Sequence, residues 1–348
     1  MSKLKLTIVA LASACVLALT SCAPVAAPQN RAVVVVSGGG AVSPFTTPTA
    51  ACKTGLAAGN TDTAIREYLL SQGKKVCTSP ASDDWGVVVE PKADSFGAFG
   101  NCPEVLPEFL TVMSSGDINA SGERLARFVT YLHDKYGVTD VDFVGHSNGG
   151  LYSRAAIRIL SQLNAPVKVR SLTMLGTPNE GAFPTSYAAG EISLDECKGD
   201  PFCVKFLTVW KQYAGAADKG LNAEDTWKFT DGTDGTNGWN AAQAGYLDKI
   251  PVTLIGGSQW TMPSGNPKLW PFDGITPVYS ALAQGVSDKV IPHRTCWSAP
   301  LTHSIFVSDF AGLGWQTAMT WNTESLKRIN QAIDESDTAL TAPNRQGC

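Results

Sequence analysis

Histidine is scarce in this sequence, with four in 348 residues, so any reaction that needs an imidazole has few places to put it. Charge is thin as well: 17 % of residues are charged, against 44 % hydrophobic. That balance supplies ample material for a packed core and does not match the composition of a disordered chain. No run of lysine or arginine occurs, and the formal net charge is -4. The electrostatic basis for binding nucleic acid or an anionic bilayer is therefore missing. No Cys/His spacing has the form of a metal site, and no cofactor is expected. Internal repeats and low-complexity linkers are absent too, so a single domain carrying insertions is expected, as a monomer.

One long apolar run exists, and it lies at the N-terminus. Lys3 and Lys5 precede an almost wholly apolar stretch from Leu6 to Thr20, closed by Leu19-Thr20-Ser21-Cys22. This is the pattern of a signal peptide over residues 1–21, too short and wrongly flanked for a spanning helix. The closing four residues resemble a bacterial lipobox, in which the cysteine is diacylated and becomes the new N-terminus. Cys22 is thus the expected lipid anchor, residues 22–30 a short tether, and residues 31–348 the folded domain. Acyl chains contribute about 0.8 kcal/mol per buried methylene, and stable attachment takes more than one chain. Cleavage near Ala23 to Ala27 would release a soluble protein instead. Either way the protein is exported, as a cell-envelope lipoprotein or a secreted protein.

Nine cysteines agree with export. Cys15 lies in the leader and Cys22 is the proposed anchor. Cys52, Cys77, Cys102, Cys197, Cys203, Cys296 and Cys348 remain, and outside the cytosol they should mostly pair. Cys197 and Cys203 bracket a short loop holding Gly199 and Pro201 and form the best single pair. An odd number leaves one thiol free or bridged to another chain.

Short apolar runs alternate with helical patterns along the rest of the chain. Arg31 to Val36, Val141 to Val144, Val169 to Leu175 and Pro251 to Ile255 read as strands buried on both faces. Gly86 to Val89 and Tyr279 to Ala283 are further strand candidates. Thr61 to Gln72, Gly122 to Tyr136, Leu151 to Leu163 and Ser325 to Ile333 read as helices. The alternation predicts a mostly parallel α/β sheet with right-handed crossovers. It stops between Gly181 and Ile250, a stretch rich in Gly, Asn, Asp, Trp and Tyr. A long insertion of this kind is usually functional, and a cap or lid over the site is expected there. Asp231 to Gly238 (DGTDGTNG) reads as a surface turn, with an oxygen-rich calcium loop as the alternative.

The chemistry begins at Val141-Asp142-Phe143-Val144-Gly145-His146-Ser147-Asn148-Gly149-Gly150-Leu151. Strand, then Gly-x-Ser-x-Gly, then helix is the sequence form of a nucleophile elbow. Its turn is so tight that side chains two positions either side of the serine would clash, which explains Gly145 and Gly149. Ser147 is the expected nucleophile, and the main-chain N–H of Asn148, at a helix N-terminus, an expected oxyanion donor. Asp142, on the strand, is expected to be structural.

The elbow resembles that of the bacterial secreted lipases and esterases of the α/β-hydrolase superfamily. Leu175-Gly176-Thr177-Pro178-Asn179-Glu180-Gly181 looks like their Leu-Gly-Thr-Pro-x-x-Gly turn. Val33 to Gly40 looks like their first strand and oxyanion loop, with Ser37-Gly38 where the family has His-Gly. The resemblance implies an α/β-hydrolase fold with a small sheet of about six strands. It also implies a second oxyanion donor at Gly39, with Gly40 as substitute.

The fold places the acid and then the histidine after the serine. Of four histidines, His133 reads as the solvent side of a helix, and His146 should point away from the hydroxyl. His293 reads as a surface or supporting group. His303, late in the chain before the closing helix, is the expected base. The acid is Asp273, whose Asp-Gly-Ile-Thr-Pro-Val-Tyr-Ser-Ala context resembles the family's acid turn, or Asp288. A last strand of about 5 residues must fit between acid and histidine, which favours the more distant Asp273.

The implied reaction is ester hydrolysis through an acyl-enzyme, on an ester or lipid substrate. Trp210, Trp227, Trp239, Trp260 and Trp270, in the variable regions, would either line an acyl pocket or pack as core. An acyltransferase or polyester depolymerase using the same three residues is the neighbouring reading. A binding protein that keeps the fold without activity is the distant one.

Overall fold

The structure, a computed structural model, describes residues 30–46, 63–83, 106–216, 225–231, 238–337, 340 and 344–348. The leader, Cys22, Cys52, Cys102, Gly86 to Val89 and most of the DGTDGTNG turn lie outside the described residues.

In chain order the strands and helices are β1 (Arg31–Val36), α1 (Thr63–Ser71), β2 (Val76–Thr78), β3 (Ala81–Ser82), β4 (Val112–Met113), α2 (Ile118–Tyr136), β5 (Asp140–His146), α3 (Asn148–Gln162) and β6 (Lys168–Leu175). Then come α4 (Phe183–Ala188), α5 (Pro201–Ala216), α6 (Trp227–Asp231), α7 (Gly238–Ala241), β7 (Val252–Gly257), α8 (Val278–Ala281), β8 (His293–Ala299), α9 (Ile305–Phe310), α10 (Thr323–Asp334) and β9 (Asn344–Gln346). The main sheet runs β2-β1-β5-β6-β7-β8-β9 with every neighbour parallel. β3 and β4 pair separately.

The valines of β1 show why the sheet is buried on both sides. Successive side chains of a strand point to opposite faces. Val33 and Val35 join a core with Ile65 and Leu69 of α1 and Leu326, Ile329 and Ile333 of α10. Val34 and Val36 join the opposite core with Phe128 and Leu132 of α2 and Leu151 of α3. Full burial of one such side chain contributes roughly 1.5–3 kcal/mol. α2 starts four residues before its expected start. Asp117 caps it by accepting from Ala120 N–H, and Gly137 ends it in the left-handed conformation, its N–H on the His133 carbonyl.

Two expectations are corrected at one edge of the sheet. Tyr279 to Ala283 is not a strand; it falls largely in the short helix α8, begun by Pro277. The strand after β7 is β8 instead, whose half-exposed face and buried Arg294 hide it from an apolar pattern. The sheet has seven strands in place of about six. β2 and β9 are three residues each: β2 is buried, with Val76 and Cys77 in the two cores, whereas β9 is exposed and joins the sheet by main-chain pairing. β9 is also tied down by the Cys296–Cys348 disulfide.

The stretch from 181 to 250 is mostly helical where described. Cys197 and Cys203 form a disulfide at the start of α5. Trp210, Trp227, Trp260 and Trp270 cluster there with Phe183, Phe202, Phe206, Phe272 and Phe310. Trp260 stacks on Phe202 with ring centroids 3.7 Å apart. Trp239 belongs to the other core, under the Arg154 guanidinium. Cys77 is a buried free thiol. Among the described residues no helix is long and apolar enough to cross a membrane.

Behind β6 lies a buried polar group with a predictable effect. Glu180 accepts the Gly285 N–H through Oε2, yet burial pushes its carboxyl up to about 8. The folded state thus binds this proton more tightly than the unfolded state, and stability falls as pH rises from about 4.5 to about 8. Glu180→Gln keeps an acceptor for Gly285 and cannot ionise. Its melting temperature relative to wild type should be about 6 °C more favourable at pH 8.5 than at pH 5.5, reflecting about 3 kcal/mol. Equal differences at the two pH values would refute this.

Candidate active site

β5 delivers Ser147 to the carboxyl end of the sheet in a strained turn. Its φ is 54° and ψ -131°, a conformation that costs a non-glycine residue about 1–3 kcal/mol. The main chain holds it: Ser147 N–H donates to the Leu175 carbonyl at 2.8 Å, and Gly150 N–H donates to the Ser147 carbonyl at 3.1 Å. A Cβ on Gly149 would sit 2.2 Å from the Val36 carbonyl oxygen and 2.7 Å from that of Ser37. Both are backbone atoms and cannot swing away. Gly149→Ala should therefore lower stability by about 3 kcal/mol, seen as a melting temperature lower by about 6 °C. An unchanged melting temperature would contradict the packing.

The loop after β1 lies against this turn. A Cβ on Gly38 would fall 2.6 Å from Ser147 Cβ and 3.2 Å from its Oγ. Gly40 N–H is engaged by the Ser114 carbonyl at 3.1 Å, and Ala41 N–H by that of Gly38 at 3.3 Å. Gly39 is exposed, and its N–H has no protein acceptor among the described residues.

Asp273 and His303 meet from distant segments. His303 Nδ1–H donates to Asp273 Oδ2 at 2.8 Å, and His303 N–H donates to the Asp273 carbonyl at 2.8 Å. The other carboxylate oxygen, Oδ1, accepts from Ile275 N–H at 2.8 Å and Thr276 N–H at 2.7 Å. Both side chains are buried. The pair packs on Gly176, where a Cβ would meet His303 Nδ1 at 2.9 Å and Asp273 Oδ2 at 3.0 Å. Gly176 directly follows Leu175, the residue that holds Ser147 N–H.

Asp288 lies elsewhere, half-exposed, bonded to Arg294 at 3.1 Å and Arg345 at 2.7 Å. His133 faces Asp134 on the outside of α2, and His293 opens β8 opposite Asn344. Asp142 is buried between Arg31 and Ser171 and ties strands together. His146 has a contact that sequence reasoning missed. Its Nε2–H donates to the His303 carbonyl at 3.0 Å, and the two rings lie 4.8 Å apart. No local pattern signals this, because the partner is 157 positions away. Ser147 thus has a residue in contact with His303 directly before it and another beside the carbonyl that holds its N–H.

A parallel, helix-flanked sheet with a strained serine turn at the end of an inner strand, followed in sequence by a paired Asp and His, is the α/β-hydrolase arrangement. A family described as "Putative serine esterase (DUF676)" matches residues 110–181, which include the elbow. A triacylglycerol lipase of Pseudarthrobacter phenanthrenivorans is 39 % identical over 64 residues, 18 % of this chain and 18 % of the relative. One from Burkholderia plantarii is 39 % identical over 64 residues, 18 % of this chain and 16 % of the relative. The chain thus aligns with less than a fifth of either relative's length. Among solved structures, a Bacillus licheniformis lipase in its propeptide form has a TM-score of 0.47 at 13 % identity, covering 92 % of this chain and 53 % of that one. A Listeria innocua protein has a TM-score of 0.44 at 12 % identity, covering 91 % and 98 %.

Proposed function

We propose that the protein is a serine carboxylic-ester hydrolase working through an acyl-enzyme on Ser147. The observation that carries this reading is the buried Asp273–His303 pair packed against the turn that strains Ser147. Asp273 accepts from Nδ1–H, so the Nε2 face of His303 carries the lone pair that can take a proton. His303 accepts the Ser147 proton as Oγ attacks the ester carbonyl. Asp273 stabilises the imidazolium that results. The N–H groups of Gly39 and Asn148 stabilise the oxyanion, the alcohol leaves with the proton from His303, and water releases the acyl group by the same steps.

In this reading residues 181–250 form the cap over the site, and the aromatic cluster fixes the cap to the turn of Asp273. Packing around Gly274 supports it: a Cβ there would meet Val307, Trp260 and Phe202. The two disulfides among the described residues fit an oxidising compartment, so the proposal includes export, with Cys22 as lipid anchor.

The test is an assay of the purified protein on p-nitrophenyl esters from short to long acyl chains, with fluorophosphonate labelling of Ser147. Turnover with labelling is the expected result, and the chain-length profile separates esterase from lipase. A folded protein that turns over no ester and takes no label would sink the proposal.

A further inference from the structure

The loop after β1 and the helix after Ser147 meet at one main-chain oxygen. Gly38, Gly39 and Gly40 form the tip of the loop, and the last two are exposed. Gly40 sits at φ 69°, in the left-handed region that glycine adopts without strain. Such a tip has no side chains to hold it, so its shape depends on main-chain hydrogen bonds. Two of these go to Ser114, the residue directly after β4. Gly40 N–H donates to the Ser114 carbonyl at 3.1 Å. Ser114 Oγ donates to the Ala41 carbonyl at 2.7 Å, nearer than the Ser82 carbonyl at 3.1 Å. Ser114 is fully buried, and its own N–H is anchored on the Ser82 carbonyl at 2.8 Å. A further bond reaches the Ser114 carbonyl from α3: the Tyr152 hydroxyl donates to it at 2.8 Å. A carbonyl oxygen has two lone pairs and can accept from both Gly40 and Tyr152. Tyr152 is fully buried, on the helix that begins at Asn148. Gly39 lies in the angle between the two: a Cβ there would be 3.1 Å from the Asn148 amide nitrogen and 3.8 Å from the Ser114 carbonyl oxygen.

We propose that Tyr152 and Ser114 are positioning residues of the oxyanion site. The Tyr152 hydroxyl holds the Ser114 carbonyl against α3, and Ser114 holds the loop tip at Gly40 and Ala41. The Gly39 N–H is thereby set against the Asn148 N–H, so that both point at one oxygen. The inference rests on the esterase reading, and it names what fixes one proposed oxyanion donor relative to the other. Neither residue touches the reacting atoms. Donors at such a site act through placement, and a small displacement lowers transition-state stabilisation while leaving substrate binding nearly intact. Tyr152→Phe removes the hydroxyl and keeps the ring. The Ser114 carbonyl retains its bond from Gly40, so the change leaves that buried acceptor paired. Ser114→Ala cuts the tie to Ala41 and leaves both bonds to the Ser114 carbonyl in place.

The test measures kcat and KM on p-nitrophenyl butyrate, with melting temperature, for wild type, Tyr152→Phe, Ser114→Ala and the double variant. It also measures inhibition by an alkyl trifluoromethyl ketone, whose adduct with a serine hydroxyl carries the oxyanion. Each single variant should lower kcat about tenfold with KM within twofold, short of the roughly 10²–10³-fold cost of deleting a donor outright. Affinity for the ketone should fall by the same factor as kcat, which a merely structural role would not produce. The melting temperature should drop by no more than about 4 °C, the size expected for one lost hydrogen bond. The double variant should lose less than the product of the single losses, because both act through Ser114. Tyr152→Phe reads the tie from the helix side if Ser114→Ala does not fold. Wild-type kcat in folded Tyr152→Phe, losses confined to KM, or a lower kcat with unchanged ketone affinity would overturn the inference. If the wild-type protein hydrolyses no ester, the esterase reading itself falls; active wild type with an indifferent Tyr152→Phe refutes the positioning role alone.

Discussion

Ser147→Ala should lower kcat for ester hydrolysis by about 10⁵-fold or more while leaving the fold as stable as the wild type. The two halves of this expectation come from different atoms. The strained turn is held by the Ser147 N–H on the Leu175 carbonyl and the Ser147 carbonyl on Gly150 N–H. Neither bond uses the side chain, so removing Oγ leaves the elbow its supports. Alanine bears the same unfavourable φ of 54° as serine, so the strain is unchanged. The covalent route, however, has lost its attacking atom. What remains is the oxyanion site and substrate positioning, which retain some catalysis over water. Single-turnover kinetics and differential scanning calorimetry on the two proteins would check both halves. A variant that kept even a tenth of the activity would mean another nucleophile is at work. One that melted much lower would mean the elbow depends on Oγ after all.

The elbow was readable from sequence because its rule is local and steric. A tight turn demands glycine at fixed offsets, and Gly145 and Gly149 stand at them. The core strands were readable for a similar reason. A strand buried on both faces is a continuous apolar run, as in β1, β5 and β6. The edges were not readable. Asn344-Arg345-Gln346 is polar and exposed, and it joins the sheet by main-chain pairing beside the Cys296–Cys348 disulfide. β8 was missed because Arg294 points inward, bonded to the carbonyls of Ile291, Ala283 and Val286 and paired with Asp288. A buried guanidinium inverts the pattern by which strands are recognised. The contact of His146 with His303 was illegible for another reason. It joins segments far apart in the chain, and no spacing rule relates them. The spacing argument about the acid needed only the length of chain between it and the histidine. Thirty positions separate Asp273 from His303, and the structure fits α8 and β8 into them.

The same geometry separates the two candidate acids by experiment. Asp273→Asn should reduce kcat by about 10⁴-fold with little change in stability. The size follows from which atom of the new amide can face His303. Asp273 Oδ1 accepts two main-chain hydrogen bonds, from Ile275 and Thr276. In asparagine only one oxygen remains, and these two N–H groups claim it. The NH₂ group must then take the place of Oδ2, 2.8 Å from His303 Nδ1. A donor facing Nδ1 favours the tautomer with its proton on Nε2, where the base has to be empty to accept the Ser147 proton. The variant should therefore fold, retain Ser147 and bind substrate, yet fail at proton transfer. Raising the pH should recover part of the rate, because hydroxide can take that proton instead. Asp288→Asn makes the contrasting case. Arg294 keeps its three carbonyl partners without Asp288, and Arg345 is exposed. Its kcat should stay within twofold of wild type. Were Asp288→Asn to collapse the rate and Asp273→Asn to spare it, the assignment of the acid would reverse, and the short bond between Asp273 and His303 would have to be read as structural.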